Sequence, residues 1–179
     1  MRGQRGTVLI GMPGSGKTEL GRQAAGILSL PFLDADAMIE GQEGMTIAGI
    51  FDRVGEEGFR KLETETLRGL LDGAAPEGAG AFVLATGGGV VTRAENRSIL
   101  TALGRVVYIR RGIEAIASSV AYGGTRPLLG NQDMLFKLWA ARRPLYEDWA
   151  EDTFAVVEGE AIGEAATRLA ELIAERGQQ

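Results

Sequence analysis

The sequence predicts an α/β fold: a five-stranded parallel sheet flanked by helices, three layers deep. Three observations carry this expectation. Short apolar runs with strand character alternate with helix-compatible segments along the whole chain. The first run, Thr7 to Ile10, leads into a glycine-rich stretch and then into a helix-compatible segment, Glu19 to Leu28. A chain of 179 residues, 45% hydrophobic and 24% charged, also suits one soluble domain with a substantial core.

In chain order, strands are expected at 7–10, 30–33, 81–85, 105–109 and 153–157. Helices are expected at 17–28, 46–52, 56–72, 94–102, 112–120, 133–148 and 161–176. The last is the clearest, because Ile162, Ala166, Leu169, Leu172 and Ile173 share one face with charge opposite, which marks a packing helix. Ala74 to Gly80 and Tyr122 to Gln132 read as connections within one domain, and no internal repeat is visible.

Composition narrows the function. A net charge of −5 with no block of lysine or arginine argues against a general nucleic-acid binder. Lysine is limited to Lys17, Lys61 and Lys137, and every other basic residue is arginine, the better fork for carboxylates and phosphates. Codon bias would give the same ratio. With no cysteine and no histidine, disulfides, thiolate sites and the commonest general base are excluded. Proton transfer then falls to a carboxylate, another side chain or water. No apolar run reaches transmembrane length and Met1 to Thr7 does not read as a signal peptide, so a cytoplasmic enzyme is expected.

Gly11 to Thr18 reads G-x-x-x-x-G-K-T, the P-loop pattern, in the strand–loop–helix setting that the pattern requires. Gly14, Ser15 and Gly16 can aim their backbone N–H groups at a polyphosphate, helped by the positive end of the following helix. Lys17 would reach the β- and γ-phosphates, and the Thr18 hydroxyl would ligate Mg²⁺. The second strand ends in Asp34-Ala-Asp36, and in an open parallel sheet ligands bind beyond the carboxyl ends of the strands. Asp34 is placed to hold Mg²⁺ through water, and Asp36 to accept a hydrogen bond from a substrate hydroxyl. Either aspartate could also simply cap a helix.

Later in the chain, Arg60 and Glu63 lie three apart and, on local grounds, would pair on a solvated helix surface. Gly87, Gly88 and Gly89 end the third strand and suit close approach by a ligand or another backbone. Arg126 lies between glycines in 123–130, as on a lid whose arginine neutralises a transferring phosphoryl group. Arg142 precedes Pro144, where a kink or break would turn the arginine toward the crevice.

Together these residues resemble the shikimate kinase family, within the P-loop nucleoside-monophosphate-kinase-like superfamily. The shared pieces are Gly11 to Thr18, Asp34-Ala-Asp36, Phe59-Arg60 with Glu63, Gly87-Gly88-Gly89, Arg126-Pro127-Leu128-Leu129 and Arg142-x-Pro144-x-Tyr146. They occur in the family's order from residue 7 to about 147. The resemblance implies transfer of the γ-phosphoryl group of MgATP to the 3-hydroxyl of shikimate, on the route to chorismate and aromatic amino acids. It implies that Arg60 and Arg142 clamp the shikimate carboxylate, that Glu63 orients Arg60, and that Gly87 to Gly89 lie against the substrate. Lys17, Asp36 and Arg126 would be catalytic, with Gly14 to Thr18 and Arg126 on the nucleotide. Residues of about 36–64 would form a substrate-binding subdomain and about 120–132 the lid, in a monomer with no nucleic-acid or membrane partner.

Two stretches depart from the family. Ser118-Ser-Val-Ala-Tyr122 stands where members often carry a basic residue on adenine, and Glu158-Gly-Glu160 replaces a basic stretch after the fifth strand. Looser purine discrimination or an unusual ATP affinity is expected. The residues alone also leave room for a kinase of another hydroxy acid, or for a regulatory nucleotide-binding protein. A GTPase is weaker, since Asn-Lys-x-Asp is missing.

Overall fold

The computed structural model describes residues 6–74, 81–123 and 132–175. In chain order the elements are β1 (Gly6–Ile10), α1 (Lys17–Leu28), β2 (Phe32–Asp34), α2 (Ala35–Glu43), α3 (Ile47–Gly69), β3 (Val83–Ala85), α4 (Glu95–Leu103), β4 (Gly104–Arg110), α5 (Ile113–Gly123), α6 (Gln132–Trp149), β5 (Asp152–Ala155) and α7 (Ile162–Glu175). The five strands form one parallel sheet in the order β2-β3-β1-β4-β5. Its central strands are apolar on both faces because helices cover both.

Alternation along the strands sorts the core into two layers. Val8, Ile10, Leu84, Val106 and Tyr108 face one side, where Leu67, Leu100, Ile116, Tyr146 and Trp149 of α3 to α6 cover them. Leu9, Val83, Val107 and Ile109 face the other, against Leu20 and Ala24 of α1 and Ala166 and Leu169 of α7. A third, smaller cluster of Ile39, Ile50 and Phe59 joins α2 to α3.

Most elements shift by one to three residues at an end, β3 starting at Val83 and β5 spanning Asp152–Ala155, and three differences have a visible cause. The strand expected at 30–33 begins at Phe32, because the Leu30 N–H bonds the Ala25 carbonyl at 2.9 Å and belongs to the end of α1. Helix α2 was not expected; Asp34 caps it, its carboxylate accepting from the Ala37 N–H at 3.1 Å. The two helices expected at 46–52 and 56–72 join as α3, broken at Gly55, whose φ of 69° few other residues adopt. A π-helical turn at 70–74 follows it.

The order of the strands creates the site. The chain steps from β1 out to β2, returns to β3 beside β1, and then crosses to β4 on the other side. The carboxyl end of β1 therefore lies at the reversal point, where open α/β sheets bind ligands.

Candidate functional site

β1 leads into a loop that turns through Gly11, Gly14 and Gly16, at φ values of 148°, 80° and 93°. The loop wraps its own lysine. Lys17 is buried and its Nζ donates to the Gly11 carbonyl at 2.9 Å and the Met12 carbonyl at 2.8 Å. That holds an ammonium at the N-terminus of α1, where the helix dipole and free backbone N–H groups already favour an anion. Ser15 is buried in the same loop.

The next residue, Thr18, donates from Oγ1 to Asp34 Oδ2 at 2.7 Å. Asp34 uses both oxygens: Oδ1 caps α2 while Oδ2 accepts from Thr18 of the P-loop. A hydroxyl and a carboxylate oxygen form a hard donor pair suited to Mg²⁺, which keeps much of its water. Among the described residues no group of three His, Cys, Asp or Glu side chains could hold a metal ion.

On the other side of the loop, Gly87 to Gly89 meet four residues so closely that a Cβ at any of the three would force its neighbour to shift. A Cβ on Gly87 would lie 2.3 Å from Glu63 Oε1 and 2.8 Å from Asp36 Oδ1. On Gly88 it would lie 2.4 Å from Pro13 Cδ of the P-loop, and on Gly89 2.0 Å from Arg60 Cζ. The three glycines are the junction at which α2, α3 and the P-loop converge.

Arg60 and Glu63 are 7% and 2% exposed and ion-paired through Nη1 and Oε2. Local spacing suggests a solvated pair, but α3 turns this face onto the glycine loop. Glu56, largely exposed, reaches Arg60 Nη2 at 3.4 Å. Arg60 Nε and Glu63 Oε1 are buried with no hydrogen bond among the described residues. Burial raises the pKa of Glu63; the Arg60 charge opposes this and Asp36 adds to it.

Arg142 arrives from α6. It is 6% exposed and its Nη1 donates to the Gly88 carbonyl at 3.2 Å. Helix α6 continues through Pro144, so the arginine reaches the glycine loop without a break in the helix. The Tyr146 hydroxyl donates to the same carbonyl and lies 3.8 Å from Met12 Sδ. Burial raises its pKa, leaving the phenol a donor.

The fold therefore brings together Gly14 to Thr18, Asp34, Asp36, Arg60, Glu63, Gly87 to Gly89 and Arg142. Arg126 and most of the segment 120–132 lie outside the described residues; 120–123 complete α5 and 132 begins α6. The sequence reading missed one support. Thr64 Oγ1 donates to Asn96 Oδ1 at 2.9 Å, and Asn96 Nδ2 donates to the Val90 carbonyl at 2.9 Å, tying α3 and α4 to the turn after the glycines. Isolated Thr and Asn carry no local signal of such a contact.

Comparison with known proteins agrees with this geometry. A family model described as shikimate kinase matches residues 13–174. The shikimate kinase of Paracidovorax citrulli is 41% identical over 174 residues, covering 95% of this chain and 93% of its own. That of Pseudomonas savastanoi pv. phaseolicola is also 41% identical, over 94% of this chain and 98% of its own. Among solved structures, shikimate kinase from Acinetobacter baumannii in complex with shikimate superposes with a TM-score of 0.85 at 35% identity, covering 98% and 96% of the two chains. The enzyme from Aquifex aeolicus gives 0.76 at 29% identity, covering 96% and 99%.

Proposed function

The chain belongs to the shikimate kinase family, and from that premise we propose that it transfers the γ-phosphoryl group of ATP to the 3-hydroxyl of shikimate. The observation that carries the reading is the meeting of two buried arginines, Arg60 and Arg142, at the Gly87–Gly89 loop beside the P-loop lysine. Two guanidinium forks facing an acceptor site suit a carboxylate.

The reaction joins the acceptor oxygen to the γ-phosphorus and breaks the bond from that phosphorus to the β–γ bridging oxygen. ADP leaves, and the hydroxyl proton passes to Asp36 or water. Arg60 and Arg142 fix the carboxylate end of the ring, so the hydroxyl stands in line with the phosphorus. Glu63 holds Arg60 in place, and the close backbone of Gly87 to Gly89 shapes the floor. Asp36 orients the hydroxyl and accepts its proton, late if the transition state is loose. Lys17 stabilises the phosphoryl oxygens, and Arg126 would join it from the lid. Mg²⁺, held by Thr18 and, through water, by Asp34, would supply charge neutralisation on the phosphates.

The cluster of Ile39, Ile50 and Phe59 supports a substrate-binding unit over about 36–64, since it gives that segment a small core of its own. We place the enzyme in the cytoplasm as a monomer acting on two small molecules, without a nucleic-acid or membrane partner. Among the described residues no helix is long and apolar enough to cross a membrane. ADP formation from MgATP, with and without shikimate and beside other hydroxy acids, tests the reading. Stimulation by shikimate is expected. Stimulation only by another acid would keep the kinase and replace its acceptor.

A further inference from the structure

The P-loop defines the phosphate end of the nucleotide site, and the stretches 118–122 and 158–160 carry no lysine or arginine. Strand order indicates where the nucleoside end lies. Asp34, Asp36 and Gly87 to Gly89 follow β2 and β3, and Arg60 and Arg142 reach the same glycines. The acceptor thus takes the β3 side of β1. A nucleotide with its phosphates in the P-loop is left the β4 side for its nucleoside.

On that side β4 ends at Arg110, and the next residue, Arg111, donates from Nη1 to the Gly14 carbonyl of the P-loop at 3.3 Å. Arg111 also lines a cleft of about 390 Å³ between the ends of β4 and β5, whose wall includes Gly112, Ile113, Ala155 and Val156. Three other charged residues, Arg110, Glu114 and Arg143, share the cleft wall. Arg143, across the cleft, is bonded to Glu147 at 2.8 Å and stacked on Trp139. Glu160, whose charge would oppose a nucleotide, accepts from Arg168 at 2.7 Å through each oxygen. Among the described residues that line the cleft, Arg111 is the one hydrogen-bonded to the P-loop backbone.

We infer that Arg111 is a nucleotide-binding residue: it holds the lip of the P-loop through Gly14 and presents its guanidinium plane and stem to the ribose and base of ATP. A planar, always charged group with an apolar stem suits that contact without reading a particular base. The inference rests on the kinase reading above. It supplies the basic group that the sequence lacks at 118–122.

The test uses R111A and R111K in the full chain. Shikimate-dependent ADP formation by the wild type is measured first and checks the kinase reading by itself. Calorimetric titration with MgADP, without shikimate, then reads the nucleotide site alone. R111A is expected to raise the Kd for MgADP and the KM for ATP about tenfold, and R111K to raise them less. The KM for shikimate and the melting temperature should stay unchanged. MgADP affinity within about twofold of wild type in R111A would overturn the inference. Should R111A not fold, R111Q is titrated instead and the same two results decide.

Discussion

At the scale of single residues, carboxylates and arginines divide the work in a way that substitution separates. Asp36→Asn keeps the size and removes the proton acceptor, so turnover should fall far more than affinity for ATP; unchanged turnover would remove Asp36 from the mechanism. Arg60→Ala or Arg142→Ala should weaken shikimate binding by about 2–5 kcal/mol and leave MgADP binding near its wild-type value. Shikimate titration followed by intrinsic fluorescence reads this. Glu63 gives a pH signature. Its folded pKa lies above the ordinary 4.5, so folding takes up protons there and its contribution to stability declines as pH rises through that window. Glu63→Gln cannot titrate, and its stability relative to wild type should rise with pH across the same window in urea titrations. A constant difference would mean that Glu63 folds with an ordinary pKa.

At the scale of elements, the Gly87–Gly89 loop and its braces decide whether the site exists. Gly89→Ala has ordinary backbone angles to adopt, but its Cβ would meet Arg60 Cζ at 2.0 Å. It should therefore raise the KM for shikimate more than that for ATP, by displacing Arg60. Asn96→Ala should cost about 2–3 kcal/mol in urea unfolding, because it leaves the buried Val90 carbonyl without its donor. Elements with a strong local pattern were legible: the P-loop with its strand and helix, and the amphipathic α7. Helix α2 was not, because nine residues containing a glycine show little periodicity and only Ala35 and Ile39 are buried. The burial of Arg60 and Glu63 was equally invisible locally, since a pair three apart looks the same on a solvated face and on a packed one. Residue type and spacing name such groups; only the topology shows which face is covered.

At the scale of the molecule, one reversal in strand order puts Arg60, Glu63 and Arg142 on the β3 side of the P-loop, the proposed acceptor side, and leaves the β4 side for the nucleoside we infer there. The acceptor side is densely specified by buried charge. The other side lacks the basic residues expected at 118–122 and 158–160, and Arg111 reads no particular base. Turnover with GTP or CTP should consequently approach that with ATP more closely than in an enzyme with an adenine platform; strong preference for ATP would sink this expectation.

The most direct test of the central claim is the rate of ADP formation from MgATP as shikimate is added, with other small hydroxy acids in parallel. Strong stimulation by shikimate alone is predicted. No stimulation by any acid, with ATP binding confirmed, would contradict it and leave a nucleotide-binding regulator in its place.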